Sequence, residues 1–539
     1  MSLGAMQDFP LRIMRLMDHA EREHGSSEIV CARADGSTHR TNWTRLAHDS
    51  RRLAQALERL GVKPSDRVAT LAMNHDRNFV TWFGVVGMGG VLHTLNPRLF
   101  DDQLEYIANH AEDRVLLYDR AFTTLVERMK PKWKTIEHYI CFDPEPGQPG
   151  FRDWIDAEDG NYTWVDGDER EPIGLCYTSG TTGNPKGVLY EHRSTMLHTL
   201  AQLSPDIMGI SKQAIVLPIV PMFHANAWGV PWAAPATGAK LVLSADYRPE
   251  RMCQLFRDEK VTHSAGVPTV WLTMIDHIER TGEELGDLKK VTIGGSAAPR
   301  AMIRWLRERG VDVTHAWGMT ETSPIGTCGA RPTRWTEMSD EEQVDHIAMQ
   351  GRAPFGVELR VIDDEGVIQP RDGKSSGRLQ CRGPWVVKRY FKAEQDATDE
   401  EQWFDTGDVA VIHPDGTMQI TDRSKDVIKS GGEWISSIEL ENAAVCHPGV
   451  AEAAAIGIPH PLWDERPLLC VVRANGSQVT PDEIISHLRE HVASWWLPNA
   501  IEFVDELPHT ATGKLSKLRL REQFKGYRFA NAEEMVGRD

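Results

Sequence analysis

The chain has 539 residues, 41% hydrophobic and 26% charged, enough apolar material for several domains or one large multilayer unit. Its formal net charge of -18 leaves no broad basic field and argues against a nucleic-acid partner. Polyanionic ligands would have to be held by local clusters of Lys, Arg and backbone N–H groups.

The predicted elements begin with a helix that Thr41 or Asn42 can cap. Its apolar face carries Leu46, Leu53, Leu57 and Leu60, and Gly61 ends it. A short apolar strand over 68–73 follows, then a helix-like segment over 79–86. The strand pattern returns at 115–118, 240–243, 291–293 and 311–314. Short buried strands between helices predict an α/β fold, with parallel sheets sandwiched by helices. Residues 331–350 are polar and acidic and read as an exposed excursion.

From about 355 to 422 the texture turns β-rich, with turns at Asp364-Glu365-Gly366 and Asp372-Gly373. A domain boundary is expected near Asp422, giving a large N-terminal domain, 1–422, and a small α+β domain, 423–539. The small domain holds an apolar run at 450–458, strands at 468–472 and 501–504, and an amphipathic helix from 482 to about 495. There is no internal repeat.

Eight cysteines lie far apart with no C-x-x-C pair, which suits reduced thiols better than a disulfide framework or a zinc site. The N-terminus lacks the basic start and apolar core of a secretory signal, and no apolar run reaches membrane-spanning length. The expectation is a cytoplasmic protein without stable membrane insertion.

One run carries the most chemistry: Tyr177-Thr178-Ser179-Gly180-Thr181-Thr182-Gly183-Asn184-Pro185-Lys186, followed by Gly187. Its glycines and hydroxyls can wrap N–H and O–H groups around phosphate oxygens, with Lys186 as a point charge at the rim. It is not a Walker A loop, because Pro185 and Gly187 flank the lysine where that pattern needs Gly and Ser or Thr. Further blocks follow in order. They are Pro221-Met222-Phe223-His224-Ala225-Asn226-Ala227-Trp228, Gly294-Gly295-Ser296, and His315-Ala316-Trp317-Gly318-Met319-Thr320-Glu321-Thr322. Then come Trp403-Phe404-Asp405-Thr406-Gly407-Asp408, Asp422-Arg423-Ser424-Lys425-Asp426, Ser430-Gly431-Gly432-Glu433-Trp434 and Thr512-Gly513-Lys514. Taken singly, each has a plainer reading. Asp408 could cap a turn, His224 could be an interior histidine, Trp317 could be core, and Glu321 and Lys514 could be solvated.

The ordered set resembles the adenylate-forming superfamily, and its wording is closest to the fatty acyl-CoA synthetases. The similarity runs from about Thr41 to about Lys525. It implies an enzyme that joins a small carboxylic acid to AMP and then to coenzyme A, using ATP and Mg2+. By the same resemblance, Thr178 through Lys186 hold the β- and γ-phosphates, with Thr178 and Glu321 near Mg2+. Gly295, His315, Ala316 and Trp317 form the adenine pocket, Ser296 and Gly318 also bind the nucleotide, and Thr320 touches the α-phosphate. Asp408 takes the ribose hydroxyls beside Arg423, and Lys425, Lys429 and Trp434 lie around the nucleotide. Lys514 bridges the acid and the α-phosphate. Ser430, Gly431 and Gly432 line the path of the CoA arm after the small domain turns about Asp422 or Arg423.

The acyl pocket is assigned, again by resemblance, to His224, Trp228, Gly295 and Gly318, with Trp232 nearby and the Trp228 indole as a gate. Residues 219–232 contain no charged residue apart from histidine, so the acid is expected to be apolar beyond its carboxylate. Ser494-Trp495-Trp496-Leu497-Pro498 resembles medium-chain alkanoate and methylmercaptopropionate ligases. The favoured acid is short- to medium-chain, such as 3-methylmercaptopropionate, with a long-chain acid as the rival. Free CoA is the simplest acceptor, a homodimer is the family's common state, and oxidative or non-catalytic relatives remain alternatives.

Overall fold

The strand-like runs pair as short buried strands in two sheets of the first of two units. The computed structural model describes residues 4–178, 184–423, 425–430, 433–509 and 515–529, with only the backbone at 433 and 434. Its first unit comprises Met1–Glu358 and Cys381–Phe404, its second Leu359–Gln380 and Asp405–Asp539.

In the first unit, the eight-stranded sheet runs Ile325–Cys328, Asp312–Gly318, Lys290–Ile293, His263–Gly266, Ile215–Pro218, Lys240–Ser244, Glu28–Ala32, Thr38–Asn42. Its six central strands are parallel and the two outer ones antiparallel. The six-stranded sheet runs His138–Cys141, Asp113–Tyr118, Arg67–Leu71, Val91–Thr94, Pro172–Tyr177, Gly187–Glu191. Five of these strands are parallel, and the last turns back as a hairpin. The α/β expectation is borne out. Helices supply the cover. In Trp43–Arg59 the Asn42 side chain accepts from Arg45 N at 2.9 Å, while Leu46, Leu53 and Leu57 are buried. Each such leucine contributes roughly 1.5–3 kcal/mol by leaving water.

The acidic stretch 331–350 is not wholly an excursion. A helix, Asp340–Ala348, starts with a capping box in which Ser339 N donates to Glu342 Oε2 at 2.7 Å. It sinks Val344 and Ile347 into the core beside Met302, Ile303 and Leu306. Val344 and Ile347 are its buried apolar side chains, with Trp335 and Ala348 packed beside them, too few to outweigh the acidic composition in a sequence reading.

The second unit carries two sheets. A four-stranded one runs Glu358–Ile362, Gly377–Arg382, Phe404–Ile412, Met418–Arg423. In the other, Asp464–Arg473 pairs antiparallel with Val450–His460 and parallel with Ala500–Phe503. The expected helix from 482 is the shorter Pro481–Leu488, followed by a 3-10 turn at Ser494–Trp496. Leu497 takes φ -50° and ψ 134°, the extended backbone that the next residue, Pro498, demands. Among the described residues no helix is long and apolar enough to cross a membrane.

Candidate active site

The described ends of the phosphate-type run, Thr178 and Lys186, flank the turn end of the hairpin Pro172–Tyr177 and Gly187–Glu191. Thr178 N donates to Lys186 O at 2.9 Å, and Lys186 N donates to Thr178 Oγ1 at 3.4 Å. These bonds hold the two ends of the loop in register. Ser179, Gly180, Thr181, Thr182 and Gly183 lie outside the described residues. The Lys186 ammonium is 4.8 Å from the centre of the Tyr390 ring.

Tyr390 links that cation to an acid. Its hydroxyl donates to Glu321 Oε1 at 2.8 Å, and Glu321 O accepts from Val387 N at 2.7 Å. Glu321 lies in the 3-10 turn Thr320–Thr322 and is 6% exposed. Burial, and then the Glu321 charge, push the Tyr390 phenol well above its ordinary range, so it remains a donor. The buried Tyr190 hydroxyl donates to Thr320 O at 2.8 Å. Two tyrosines therefore fix the turn that presents Thr320 and Glu321.

The glycine block and the indole meet in the same unit. Gly295 has φ +85°, and a Cβ there would lie 3.1 Å from Val267 Cγ1 and 4.0 Å from Trp228 Cζ2. At Gly294 a Cβ would come within 2.9 Å of Ala316 O and 3.3 Å of Trp228 Cη2. Trp228 lies in a run of five left-handed residues, Ala225 to Gly229. Left-handed backbone costs roughly 1–2 kcal/mol per non-glycine residue, and such strain concentrates at functional sites. Gln202 Nε2 donates to Trp228 O and helps hold the turn. Trp232 instead packs in the core, its ring 5.3 Å from Trp82 and 5.1 Å from Phe83. His224 is half-buried with its ring 4.9 Å from Phe223.

His315 Nδ1 lies 2.9 Å from Ala348 O, and Nε2 lies 3.3 Å from Ser296 O. Burial lowers its pKa, and the neutral ring's single N–H can donate to one of these two carbonyls, Ala348 O being the nearer. Trp317 is buried with its ring over Gly326, where a Cβ would come within 2.2 Å of Cζ3. Gly318 is equally constrained: a Cβ there would overlap Pro324 O at 1.7 Å.

In the second unit, Asp408 and Arg423 stand opposite each other on paired strands, with Arg423 Nε 3.2 Å from Asp408 Oδ1. Asp408 is 4% exposed. The preceding turn is held by Thr406 Oγ1 donating to Leu379 O at 2.8 Å and Gly407 N donating to Asp405 Oδ1 at 3.0 Å. Lys425 is exposed, and partial desolvation of its charge lowers its pKa. Lys429 is exposed on the strand Ile428–Ser430, its ammonium 3.5 Å from Asp364. Ser430 accepts from Arg466 Nη1 at 3.1 Å. The buried Asp422 receives Ser437 N at 2.5 Å and Ser437 Oγ at 2.9 Å. Beneath it Lys517 reaches Glu441 at 2.7 Å.

The AMP-binding enzyme family matches residues 17–391, and the AMP-binding enzyme C-terminal domain matches residues 439–514. The chain belongs to the AMP-binding enzyme family. Its relatives in that family are similar along nearly their whole length. A 3-methylmercaptopropionyl-CoA ligase of Ruegeria lacuscaerulensis is 46% identical, over 97% of this chain and 99% of the relative. A long-chain-fatty-acid–CoA ligase of Thermus thermophilus is 44% identical, over 97% of each chain. In fold, the chain resembles an anthranilate CoA ligase solved with anthranoyl-AMP, at TM-score 0.84 and 24% identity, over 96% of this chain and 99% of that one. The expected adenylate-forming acyl-CoA ligase class and its fold are thus borne out.

For this member of the AMP-binding enzyme family, the structure gathers Thr178, Lys186, Thr320 and Glu321 into one cluster. It gathers Trp228, Gly295 and Ala316 into a second, and Asp408 with Arg423 into a third. Lys514, Gly431 and Gly432 lie outside the described residues, as does the Trp434 side chain. Sequence reasoning missed Tyr390 and Tyr190. Tyr390 stands in the polar stretch Lys388-Arg389-Tyr390-Phe391-Lys392, and the only signal there was an aromatic pair between charges.

Proposed function

We propose that this protein is an ATP-dependent acyl-CoA ligase working through an acyl-adenylate. A carboxylate oxygen attacks the α-phosphorus, the bond to the β-phosphate oxygen breaks, and pyrophosphate leaves. The CoA thiol, giving up its proton, then attacks the carbonyl, and AMP departs with the bond's electrons. The observation that carries this reading is the tether of buried Glu321 to the Lys186 end of the phosphate hairpin through Tyr390.

In this reading Lys186 and the Thr178–Gly183 loop hold the β- and γ-phosphates, and Thr320 meets the α-phosphate. Glu321 and the Thr178 hydroxyl are hard oxygen donors, of the kind Mg2+ takes, and they would hold it. When bound, that ion offsets charge on the leaving pyrophosphate. Gly295, His315, Ala316 and Trp317 bound the adenine, Ser296 and Gly318 also bind the nucleotide, and the Asp408 carboxylate accepts from both ribose hydroxyls. Lys425, Lys429 and Trp434 lie around the nucleotide. Lys514 neutralises charge between the attacking carboxylate and the α-phosphate. Residues 423–539 then change their presented face about Asp422 or Arg423, and Ser430, Gly431 and Gly432 line the pantetheine path. Exchanging catalytic groups in this way keeps the water-sensitive adenylate enclosed.

The acid in this reading is short- to medium-chain. Trp228 lies against Gly294 and Gly295 and limits the acyl pocket's depth, and aromatic walls suit a thioether sulfur. The 46% identical relative named for 3-methylmercaptopropionate supports that choice. A long-chain acid is the second reading, supported by the 44% identical Thermus relative. We place the enzyme in the cytoplasm as a homodimer. Pyrophosphate release with a panel of acids, with and without CoA, tests the whole reading. Acid-dependent release and a thioester product are expected. Nucleotide binding without turnover would refute it.

A further inference from the structure

A group of side chains that plays no part in adenylation lies under the helices beside the eight-stranded sheet. Cys253 is on the helix Pro249–Asp258 and His277 on the helix Pro268–Thr281. The second helix ends at Gly282, φ +74°, and that turn brings Glu283 back to the same place. A sulfur, a ring nitrogen and a carboxylate oxygen from these three residues all lie within 4.8 Å of one another. We propose that Cys253, His277 and Glu283 form a binding site for a borderline-soft divalent cation of the Zn2+ class.

Two observations point to a ligand. His277 is 5% exposed. Its Nε2 and Glu283 Oε2 are enclosed atoms that make no hydrogen bond among the described residues. Glu283 Oε2 has the Arg257 guanidinium nearby, but an enclosed ring nitrogen without a hydrogen bond is costly, and an ion beside His277 Nε2 would satisfy it. They are 3.5 Å apart. That separation matches an edge of a tetrahedral site built from bonds of about 2.0–2.3 Å, which is roughly 3.3–3.7 Å long.

The surroundings fit the donor set. On the other side of the ring, Glu250 Oε1 is 3.6 Å from His277 Nδ1. A carboxylate there favours the tautomer whose Nε2 lone pair faces the pocket, the arrangement usual for metal-bound imidazole. Arg257 Nη1 is 3.4 Å from Glu283 Oε2, and both side chains are partly exposed. The guanidinium and the ion would then share Glu283 Oε2, which has a lone pair for each. Without a metal a cysteine thiol keeps its proton at neutral pH. Binding forms the Sγ–metal bond and releases that proton to solvent. The thiolate and carboxylate then offset the two positive charges, and water on the open Glu283 side completes the coordination.

The test titrates the metal-free, full-length protein with Co2+ in excess Mg2+, then displaces the cobalt with Zn2+. One equivalent of Co2+ with a thiolate-to-cobalt charge-transfer band is expected, together with a rise in Tm on adding Zn2+. Cys253→Ala should abolish the band, while Cys446→Ser, which removes the exposed thiol, should keep it. Should Cys253→Ala fail to fold, Glu283→Gln decides, and it should weaken Co2+ binding by at least about tenfold. Acid-dependent pyrophosphate release serves as the folding check for each variant. A folded wild-type protein without the band would overturn the site. So would a band that survives Cys253→Ala, disappears in Cys446→Ser, or keeps its affinity in Glu283→Gln.

Discussion

Tyr390 and Glu321, 69 residues apart in sequence, meet through a 2.8 Å hydrogen bond that points the glutamate carboxylate from a buried turn. The same ring carries the Lys186 ammonium on its face. One side chain thus positions an acid and a cation of the proposed triphosphate site.

Tyr390→Phe keeps the ring and removes the donor. A hydrogen bond to a charged group contributes about 1.5–3 kcal/mol, so acid-dependent pyrophosphate release should fall roughly 10- to 100-fold. The Mg2+ concentration for half-maximal rate should rise. Tyr390→Ala, which also uncovers Lys186, should cost more. Steady-state kinetics across Mg2+ concentrations check this, and an unchanged Tyr390→Phe would mean the tether is idle.

Trp228→Ala should move chain-length preference towards longer acids much more than it moves the KM for ATP. Removing the indole opens the space against Gly294 and Gly295. A series of acids of increasing length reads the change. An unaltered profile would rule out the indole as the limit of the pocket.

The parts of the fold that were legible in sequence are those where one local rule acts alone. Asn42 caps its helix, Gly61 follows its end at φ +80°, and short apolar runs become parallel strands. Asp408 and Arg423 were legible as separate motif residues, but their 3.2 Å contact depends on strand register. Tyr390 and Tyr190 were not legible, because their roles come from tertiary placement against Glu321 and Thr320. The helix Asp340–Ala348 was hidden by its acidic surface. Trp232 looked like a pocket residue from its neighbours in sequence, yet one helical turn beyond Trp228 it faces Trp82 and Phe83.

Burial raises the Glu441 carboxyl to about 7 even though Lys517 lies 2.7 Å away. Its folded pKa exceeds its unfolded one, so between pH 4.5 and about 7 the folded state holds more protons. Stability from this group is therefore present below 4.5 and is lost as pH rises through about 7. The shift corresponds to on the order of 3 kcal/mol. In denaturant melts across that window, the stability of wild type relative to Glu441→Gln should fall as pH rises. A difference independent of pH would contradict the assignment.

Lys514→Ala should lose acid-dependent pyrophosphate release by a factor of about 10²–10⁴, the scale of a single charge-stabilising group. The same variant should still convert synthetic acyl-AMP and CoA to thioester. Separate assays of the two half-reactions check this, and equal loss of both would show that the lysine serves both steps.

The most direct measurement follows the oxygen atoms of the acid. With both carboxylate oxygens enriched in oxygen-18, attack on the α-phosphorus leaves one labelled oxygen in AMP after the thioester forms. Mass spectrometry of the products should find AMP carrying that single label and pyrophosphate carrying none. Unlabelled AMP, or pyrophosphate formed equally well without acid, would contradict capture of the α-phosphorus by the carboxylate.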